Sequence, residues 1–139
     1  MQGRKGQGEV EEEGSRGKRS QPEPQDAFDF ERLTVFQKAL ELLKLLAPTL
    51  QNPPRKAASV LDHLDRALCS ILLNISEGSG KEPGSKDRKR FYRHALCSAK
   101  EVGGCLIISD IRGFISLSVS SRGRSLCLEV VRMLSKMTR

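Results

Sequence analysis

The sequence predicts an all-α protein, an antiparallel up-down-up-down four-helix bundle with a disordered N-terminal tail, from three observations. Four apolar segments repeat at helical spacing, prolines and glycines separate most of them, and the connections are short. The first 25 residues carry charge, Gly, Gln, Ser and Pro, but only Met1 and Val10 as sizeable apolar residues. So little apolar surface cannot offset the cost of ordering a backbone. We therefore expect residues 1–25 to be disordered and residues 26–139 to form the bundle domain.

The first helix carries two apolar stripes and ends at Asn52-Pro53-Pro54, because consecutive prolines cannot continue a helix. The stripe expected to form the main seam contains Leu33, Phe36, Leu40, Leu43, Ala47 and Leu50. The adjacent stripe contains Val35, Ala39, Leu42 and Leu46. Five side chains then fall outside the main seams: Val35, Leu42, Leu46, Leu72 and Leu73. A lone bundle of this size is expected to hide too few of them, which predicts self-association.

The second helix is expected from about Ala57 to Glu77, and Gly78-Ser79-Gly80 stops it. Ser85 is the expected N-cap of the third helix, which should run to about Ile111. Two consecutive glycines, Gly103-Gly104, cost roughly 1 kcal/mol each against alanine in that helix. We therefore expect another backbone to approach closely there.

The fourth helix is expected from near Ser121 to Met137. Before it, residues 114–119 alternate in a way that could support a strand, but one strand would have no partner. We interpret residues 107–119 as the end of the third helix followed by a connection.

A polar row runs beside the apolar positions of the second helix. It has spacings of four, four and three, and consists of Arg66, Ser70, Asn74 and Glu77. A buried polar row needs partners, and Ser98 and Glu101 of the third helix are the candidates, with Glu101 expected to pair with Arg66. One interpretation is a binding pocket. The favoured one is a structural network that fixes helix register.

The polar row includes a motif, Ser70-Ile71-x-x-Asn74-Ile75-x-Glu77-Gly78, that resembles the bacterial four-helix-bundle proteins known as 23S rRNA-intervening sequence proteins. The other matching segments are Phe30-Glu31-x-Leu33-x-Val35-Phe36-Gln37-Lys38-Ala39, Arg66-Ala67, Arg90-Phe91, Ala95 and Ser98-Ala99-x-Glu101. The departures are Phe36 for Trp, His63 for Gln, and Leu96-Cys97 for an Arg-Gly pair, so no role of that Arg carries over. The resemblance spans roughly residues 28–138. It implies a ring of five bundles and a relation to accessory variability determinant proteins of diversity-generating retroelements.

Positive charge is the strongest functional indication outside the motif. The charges of residues 1–25 cancel, so the formal net charge of +7 lies on the bundle domain. Two clusters are candidate phosphate contacts: Lys81, Lys86, Arg88, Lys89, Arg90 and Arg93, and, in the fourth helix, Arg122, Arg124, Arg132 and Lys136. Counterion release would give affinity with little sequence preference, and the lack of Trp with one Tyr argues against base stacking. A solvated basic face is the alternative, and the resemblance favours nucleic acid.

The sequence contains little that would support catalysis or metal binding. The chain has no Glu-x-x-His pair and two histidines, and its four cysteines show no Cys-x-x-Cys spacing. We expect Cys69, Cys97, Cys105 and Cys127 to be small core residues. No cofactor, metal site or catalytic residue is therefore predicted, and the protein is not expected to be an enzyme. Neither a membrane-spanning run nor a secretory signal is evident, which predicts a cytoplasmic location.

These observations predict a non-catalytic, oligomeric nucleic-acid-binding protein. RNA is favoured over DNA, and the expected setting is ribosome-associated or retroelement-accessory. The alternative is a structural adaptor between proteins with no nucleic-acid contact, whose partner could be a reverse transcriptase or a ribosomal component.

Overall fold

A computed structural model describes residues 26–139, so the predicted disorder of residues 1–25 lies outside the described part of the chain. Within that part, the helices are α1 (Thr34–Gln51), α2 (Ala58–Ser79), α3 (Lys86–Ile111) and α4 (Leu117–Met137). Short 3-10 turns, Asp29–Arg32 and Arg55–Ala57, precede α1 and α2. Consecutive helices pack together, most extensively α2 with α3, and α4 packs back on α1. The predicted four-helix bundle is confirmed.

The core takes apolar side chains from all four helices, but α1 is rotated relative to the expectation. Of its two stripes, the one with Ala39, Leu42 and Leu46 is buried, whereas Leu40 and Leu43 are half-buried. Both stripes are apolar, so hydrophobicity alone leaves the rotation open. Ion pairs with α4 accompany the observed rotation: Lys38 lies 3.3 Å from Glu129, and Glu41 lies 3.2 Å from Arg122.

The predicted surplus of apolar surface was therefore largely wrong. Val35, Leu42, Leu46 and Leu72 are buried, and only Leu73 of the five remains exposed, at 66%. The exposed apolar side chains lie elsewhere, mostly near the turn between α3 and α4: Ile107, Ile108, Ile111, Leu117 and Leu128.

Side-chain caps fix where α3 and α4 begin. Ser85 Oγ accepts a hydrogen bond from the Arg88 amide at 3.0 Å, which confirms the predicted N-cap of α3. Ser116 Oγ accepts from the Val119 amide at 3.2 Å, so α4 begins at Leu117, four residues before the predicted Ser121. Residues 114–119 form no strand. They contain the turn and the first residues of α4.

No backbone approaches Gly103 or Gly104 closely, so the expectation for these two glycines was wrong. A Cβ on Gly103 would meet Cys127 Sγ at 3.8 Å, and one on Gly104 would meet nothing within 4 Å. At Gly78, in contrast, a Cβ would lie 2.8 Å from Tyr92 Cε1. Gly78 is thus a packing residue inside α2, and the helix ends two residues beyond the predicted Glu77.

Candidate nucleic-acid interface

The antiparallel topology brings the end of α2, the start of α3 and the end of α4 to one end of the bundle. Arg93 Nη2 donates to the Thr138 carbonyl oxygen at 3.5 Å, which places the last residues of the chain beside the second and third turns of α3. The basic residues at the start of α3 therefore share this end with Lys136. We call it the basic end.

Asp87 neutralises part of the predicted α3 cluster. Its carboxylate lies 2.6 Å from Arg90 Nη2 and 3.7 Å from Lys81 Nζ. The hydrogen bond from Arg90 is the main cause that lowers the pKa of Asp87 below its ordinary value. One carboxylate thus serves two cations, so the cluster keeps a positive excess.

Aromatic rings support the same cations. Lys81 Nζ lies 5.4 Å from the centre of the Phe91 ring, and the guanidinium carbon of Arg90 lies 4.5 Å from it. Arg88 Nε donates to the Tyr92 hydroxyl at 3.1 Å, and Arg88 Nη1 donates to the Lys81 carbonyl oxygen at 3.3 Å. Arg88 therefore holds the local structure more than it faces solvent. These ring contacts were not predicted, although Phe91 directly follows Arg90 in the sequence.

Several predicted cations have no carboxylate within ion-pair distance among residues 26–139. They are Lys86, Lys89, Arg93, Arg124, Arg132 and Lys136. Lys86, Lys89 and Arg93 are spaced by three and four residues, so they share one face of α3 at the basic end.

The remaining predicted cations of α4 do not all join the basic end. Arg122 pairs with Glu41 of α1, so it is held on a different side of the bundle. Arg124 lies nearer the other end, where it lines a groove between α3 and α4 together with Lys100. Lys100 is not among the predicted contacts, because it stands apart from the other cations along the chain.

The predicted polar network forms only at its centre. Ser70 Oγ and Ser98 Oγ are 2.8 Å apart, and Asn74 Nδ2 donates to the Ser70 carbonyl oxygen at 2.9 Å and to Ser70 Oγ at 3.1 Å. These hydrogen bonds satisfy polar groups of both helices where α2 meets α3, as expected for a structural network. Neither the cavity between α1 and α2 nor the groove between α3 and α4 is lined by these residues.

The contacts predicted for the charged residues of the polar row were wrong. Arg66 pairs with Asp62 at 3.2 Å, Glu101 faces His63 at 3.6 Å, and Glu77 is exposed. Steps of four residues advance about 400° around a helix, so a row with this spacing drifts about 40° per step across the helix face. The drift leaves the middle of the row at the α3 contact and carries Arg66 towards solvent.

The cysteines divide into two classes. Cys105 and Cys127 are buried, whereas Cys69 and Cys97 are exposed, so the core assignment was wrong for the second pair. Burial raises the pKa of Cys105, and it raises the pKa of Cys127 to about 11. Cys127 Sγ also donates to the Ala99 carbonyl oxygen at 3.2 Å. The described residues contain no group of three or more His, Cys, Asp or Glu side chains placed to hold a metal ion.

A match to a protein-family model covers all four helices. The model described as 23S rRNA-intervening sequence protein matches residues 31–136, from the turn before α1 to the last turn of α4. The chain belongs to this family. The match confirms the resemblance noted from the sequence and includes both basic clusters. No curated protein matches the chain.

In this 23S rRNA-intervening sequence protein, the residues that carried the resemblance act mainly in packing. Asn74 and Ser98 join α2 to α3, and Gly78 admits the Tyr92 ring. Tyr92 and the neighbouring Phe91, which pack against Gly78, contact three cations, Lys81, Arg88 and Arg90. No helix in residues 26–139 combines the length and apolar character needed to cross a membrane.

Proposed function

We propose that the chain is a non-catalytic, self-associating protein that binds nucleic acid, RNA before DNA, through the basic end of the bundle. The observation that carries the proposal is the row of Lys86, Lys89 and Arg93 on one face of α3, with no carboxylate within ion-pair distance in the described part of the chain. Lys136 stands at the same end. The name of the family refers to 23S rRNA, which supports RNA as the partner.

The chemistry suits a phosphate backbone better than base edges. Lysine ammonium groups act as compact point charges, and the Arg93 guanidinium can donate to two phosphate oxygens at once. Phe91 is engaged by Lys81 and Arg90, so it holds cations in place and is less available for stacking on a base. The expected binding is therefore salt-dependent and tolerant of sequence.

Self-association would strengthen such contacts. A single row of three cations gives weak binding at physiological salt, whereas several copies in one assembly present several rows to the same polyanion. A pentameric ring, a cytoplasmic location and a role beside the ribosome or a retroelement belong to this proposal.

The experiment compares two triple variants of the full chain in fluorescence-anisotropy titrations with a structured ribosomal RNA fragment and a DNA duplex across a salt series. Lys86→Ala/Lys89→Ala/Arg93→Ala removes the row at the basic end. Lys44→Ala/Arg55→Ala/Lys56→Ala removes three exposed cations, one from the middle of α1 and two from the turn that follows it. The net charge of the two variants is equal.

We expect the basic-end variant to lower the slope of log K against log salt by about 0.7 to 0.9 per lost contact, and the control to leave it near the wild-type value. Equal losses in both variants would show that overall charge, without a defined surface, governs binding. No binding at low salt with intact helicity would reject the nucleic-acid function and favour the protein adaptor.

A further inference from the structure

Three phenylalanine rings form one stack at the start of α1. The centres of the Phe28 and Phe30 rings are 5.1 Å apart, and the two rings are nearly parallel, at 7°. The Phe30 and Phe36 rings are 5.0 Å apart and tilted by 59°. Phe36 is buried, Phe30 is half-buried, and Phe28 is 69% exposed. The stack therefore leads from the core of the bundle to an open ring at the surface.

Hydrogen bonds fix the backbone that carries the Phe28 ring. The Phe28 amide donates to Glu31 Oε2 at 2.7 Å, and the Glu31 amide donates to the Phe28 carbonyl oxygen at 3.0 Å. Gln37 Nε2 of α1 donates to the Glu31 carbonyl oxygen at 3.1 Å, which ties the turn to the helix. Because the ring is already positioned, a ligand that stacks on it does not have to order it.

The packing of the bundle does not require an exposed ring at this position. Phe36 belongs to the buried core and Phe30 packs against it, whereas Phe28 does neither. Phe30 covers one face of the Phe28 ring, so the exposed area lies on the other face and the ring edges. The other large apolar side chains exposed in residues 26–139 are aliphatic: Leu73, Ile107, Ile108, Ile111, Leu117 and Leu128. Phe28 thus offers a flat aromatic face that none of these side chains offers.

Phe28 lies at the basic end of the bundle. Consecutive helices are antiparallel, so α1 begins at the end where α2 stops, α3 begins and α4 stops. The Asp29–Arg32 turn, directly after Phe28, packs on α2, and the chain continues from the end of α2 to Lys81. Helix α4, which carries Lys136 in its last turn, packs on α1. The open ring and the predicted phosphate contacts therefore share one end of the molecule.

A short strand can reach both the ring and the row of Lys86, Lys89 and Arg93. Each helix packs mainly on its two neighbours, so α1 and α3 lie across a diagonal of the bundle. With the usual 8–10 Å between neighbouring helix axes, this diagonal is about 11–14 Å. Nucleotides of one strand follow each other at about 3.4 Å along a helix axis. A stretch of about four nucleotides therefore covers the distance.

The turn beside the ring suits an uncharged ligand better than a phosphate. Asp29 lies 3.7 Å from Arg32, Glu31 accepts from the Phe28 amide, and Asp26 adds an exposed carboxylate. A nucleobase is uncharged and flat, and every base has a π face that stacks on an aromatic ring. A base inside a duplex is already stacked on its neighbours, whereas an unpaired base is free to leave the strand. The chemistry of this turn therefore favours an unpaired base.

We propose that Phe28 is a stacking platform for one unpaired nucleobase of a strand whose phosphates contact Lys86, Lys89 and Arg93. The inference rests on the proposed function and narrows its ligand to single strands and loops. The lack of Trp predicted no base stacking, but one accessible phenylalanine ring is enough for one base. Phe28 precedes residues 31–136, so the family match does not include it.

The first test compares Phe28→Ala, Phe28→Leu and Phe28→Trp with wild type in anisotropy titrations of the full chain. Leucine keeps the apolar bulk without a flat face, and tryptophan keeps the flat face. The probes are a short single-stranded RNA, a strand of equal length with abasic sugars, and an RNA duplex. Phe28 is exposed, so each variant should keep the wild-type helicity.

We expect Phe28→Ala and Phe28→Leu to bind the single-stranded RNA roughly 5- to 150-fold more weakly than wild type, and Phe28→Trp to bind it at least as tightly. All four chains should bind the abasic strand equally, and the duplex equally, because neither presents an unpaired base. Equal losses on all three probes would overturn the inference, and so would wild-type binding of the single strand by Phe28→Leu.

The variant without the basic row separates this inference from the proposed function. If Lys86→Ala/Lys89→Ala/Arg93→Ala loses binding to every probe while Phe28→Ala keeps wild-type binding, the inference is overturned and the proposed function stands. A wild-type chain that binds none of the probes would overturn both.

The second test uses tryptophan fluorescence. The chain contains no Trp, so Phe28→Trp introduces a single reporter. We expect the single-stranded RNA to quench its emission and the abasic strand to change it little. Ile111→Trp is the matched control, because Ile111 is 80% exposed at the opposite end of the bundle, and its emission should stay constant. Quenching of both reporters, or of neither, would overturn the contact.

Discussion

At Gly78 a hydrogen atom occupies space that any side chain would need. A Cβ there would lie 2.8 Å from Tyr92 Cε1 and 3.0 Å from Phe91 Cβ, and Phe91 and Tyr92 hold the cations of the basic end. We expect Gly78→Ala to lower the free energy of unfolding by about 1–3 kcal/mol, because the overlap outweighs the better helix propensity of alanine. Urea denaturation measures this. Gly104→Ala is the matched control and should stabilise the chain, so destabilisation of both to the same extent would contradict the packing explanation.

The thiols of the folded chain should react at two distinct rates. Burial raises the pKa of Cys127 from 9.0 to about 11, so the folded chain retains this proton at a pH where the unfolded chain releases it. The associated stability is present below about pH 9 and is lost as the pH rises towards 11. With a disulfide reagent at pH 8, the exposed thiols of Cys69 and Cys97 should react quickly. The buried thiols of Cys105 and Cys127 should react only after the chain unfolds. Four equal rates would contradict this assignment.

Among the elements, α3 and α4 begin at serine caps that can be tested separately. Ser85→Ala and Ser116→Ala should each lower the free energy of unfolding by about 1 kcal/mol, since each leaves a backbone amide without its acceptor. Thermal and urea unfolding measure the losses. Ser121→Ala, at the start of α4 expected from the sequence, should change stability little, because Ser121 is exposed inside the helix. A large effect there would mean that α4 begins later than observed.

The sequence pattern predicted which segments are helical better than it predicted how each helix is rotated about its axis. The prolines after α1 and the Ser85 cap are local signals, and both were read correctly. The rotation of α1 comes with contacts between distant residues, such as the ion pair of Glu41 with Arg122, which is 81 residues away. The cap at Ser116 is hidden in the sequence, because the residues around it alternate as those of a strand would. Local patterns therefore predict elements, while contacts between distant residues decide which face is buried.

For the whole molecule, the charge of the bundle domain should govern polyanion binding. Residues 1–25 carry equal numbers of positive and negative charges, so a chain without them keeps the net charge of +7. We expect residues 26–139 to bind RNA with an unchanged slope of log K against log salt. A smaller slope would mean that cations of residues 1–25 also contact phosphate.

The candidate site could be predicted in part at this scale. The basic run at the start of α3 is visible in the sequence, but its division between free and engaged cations is not. Asp87 is close in sequence to Arg90 and could have been paired with it, whereas the approach of Arg93 to Thr138 depends on the packing of α4. Lys100 and Arg124 become neighbours only because α3 and α4 lie side by side.

The two consecutive glycines of α3 separate a cationic half, which ends at Lys100, from an apolar half, which begins near Ile107. A turn without side chains leaves its backbone amides open to water, and glycine gains the most conformational freedom when a helix opens. Amide hydrogens around Gly104 should therefore exchange with deuterium sooner than those at either side, which makes this turn a built-in hinge between the two halves. A molecule bound over the groove would slow that exchange, so deuterium uptake at a single turn would report its binding directly.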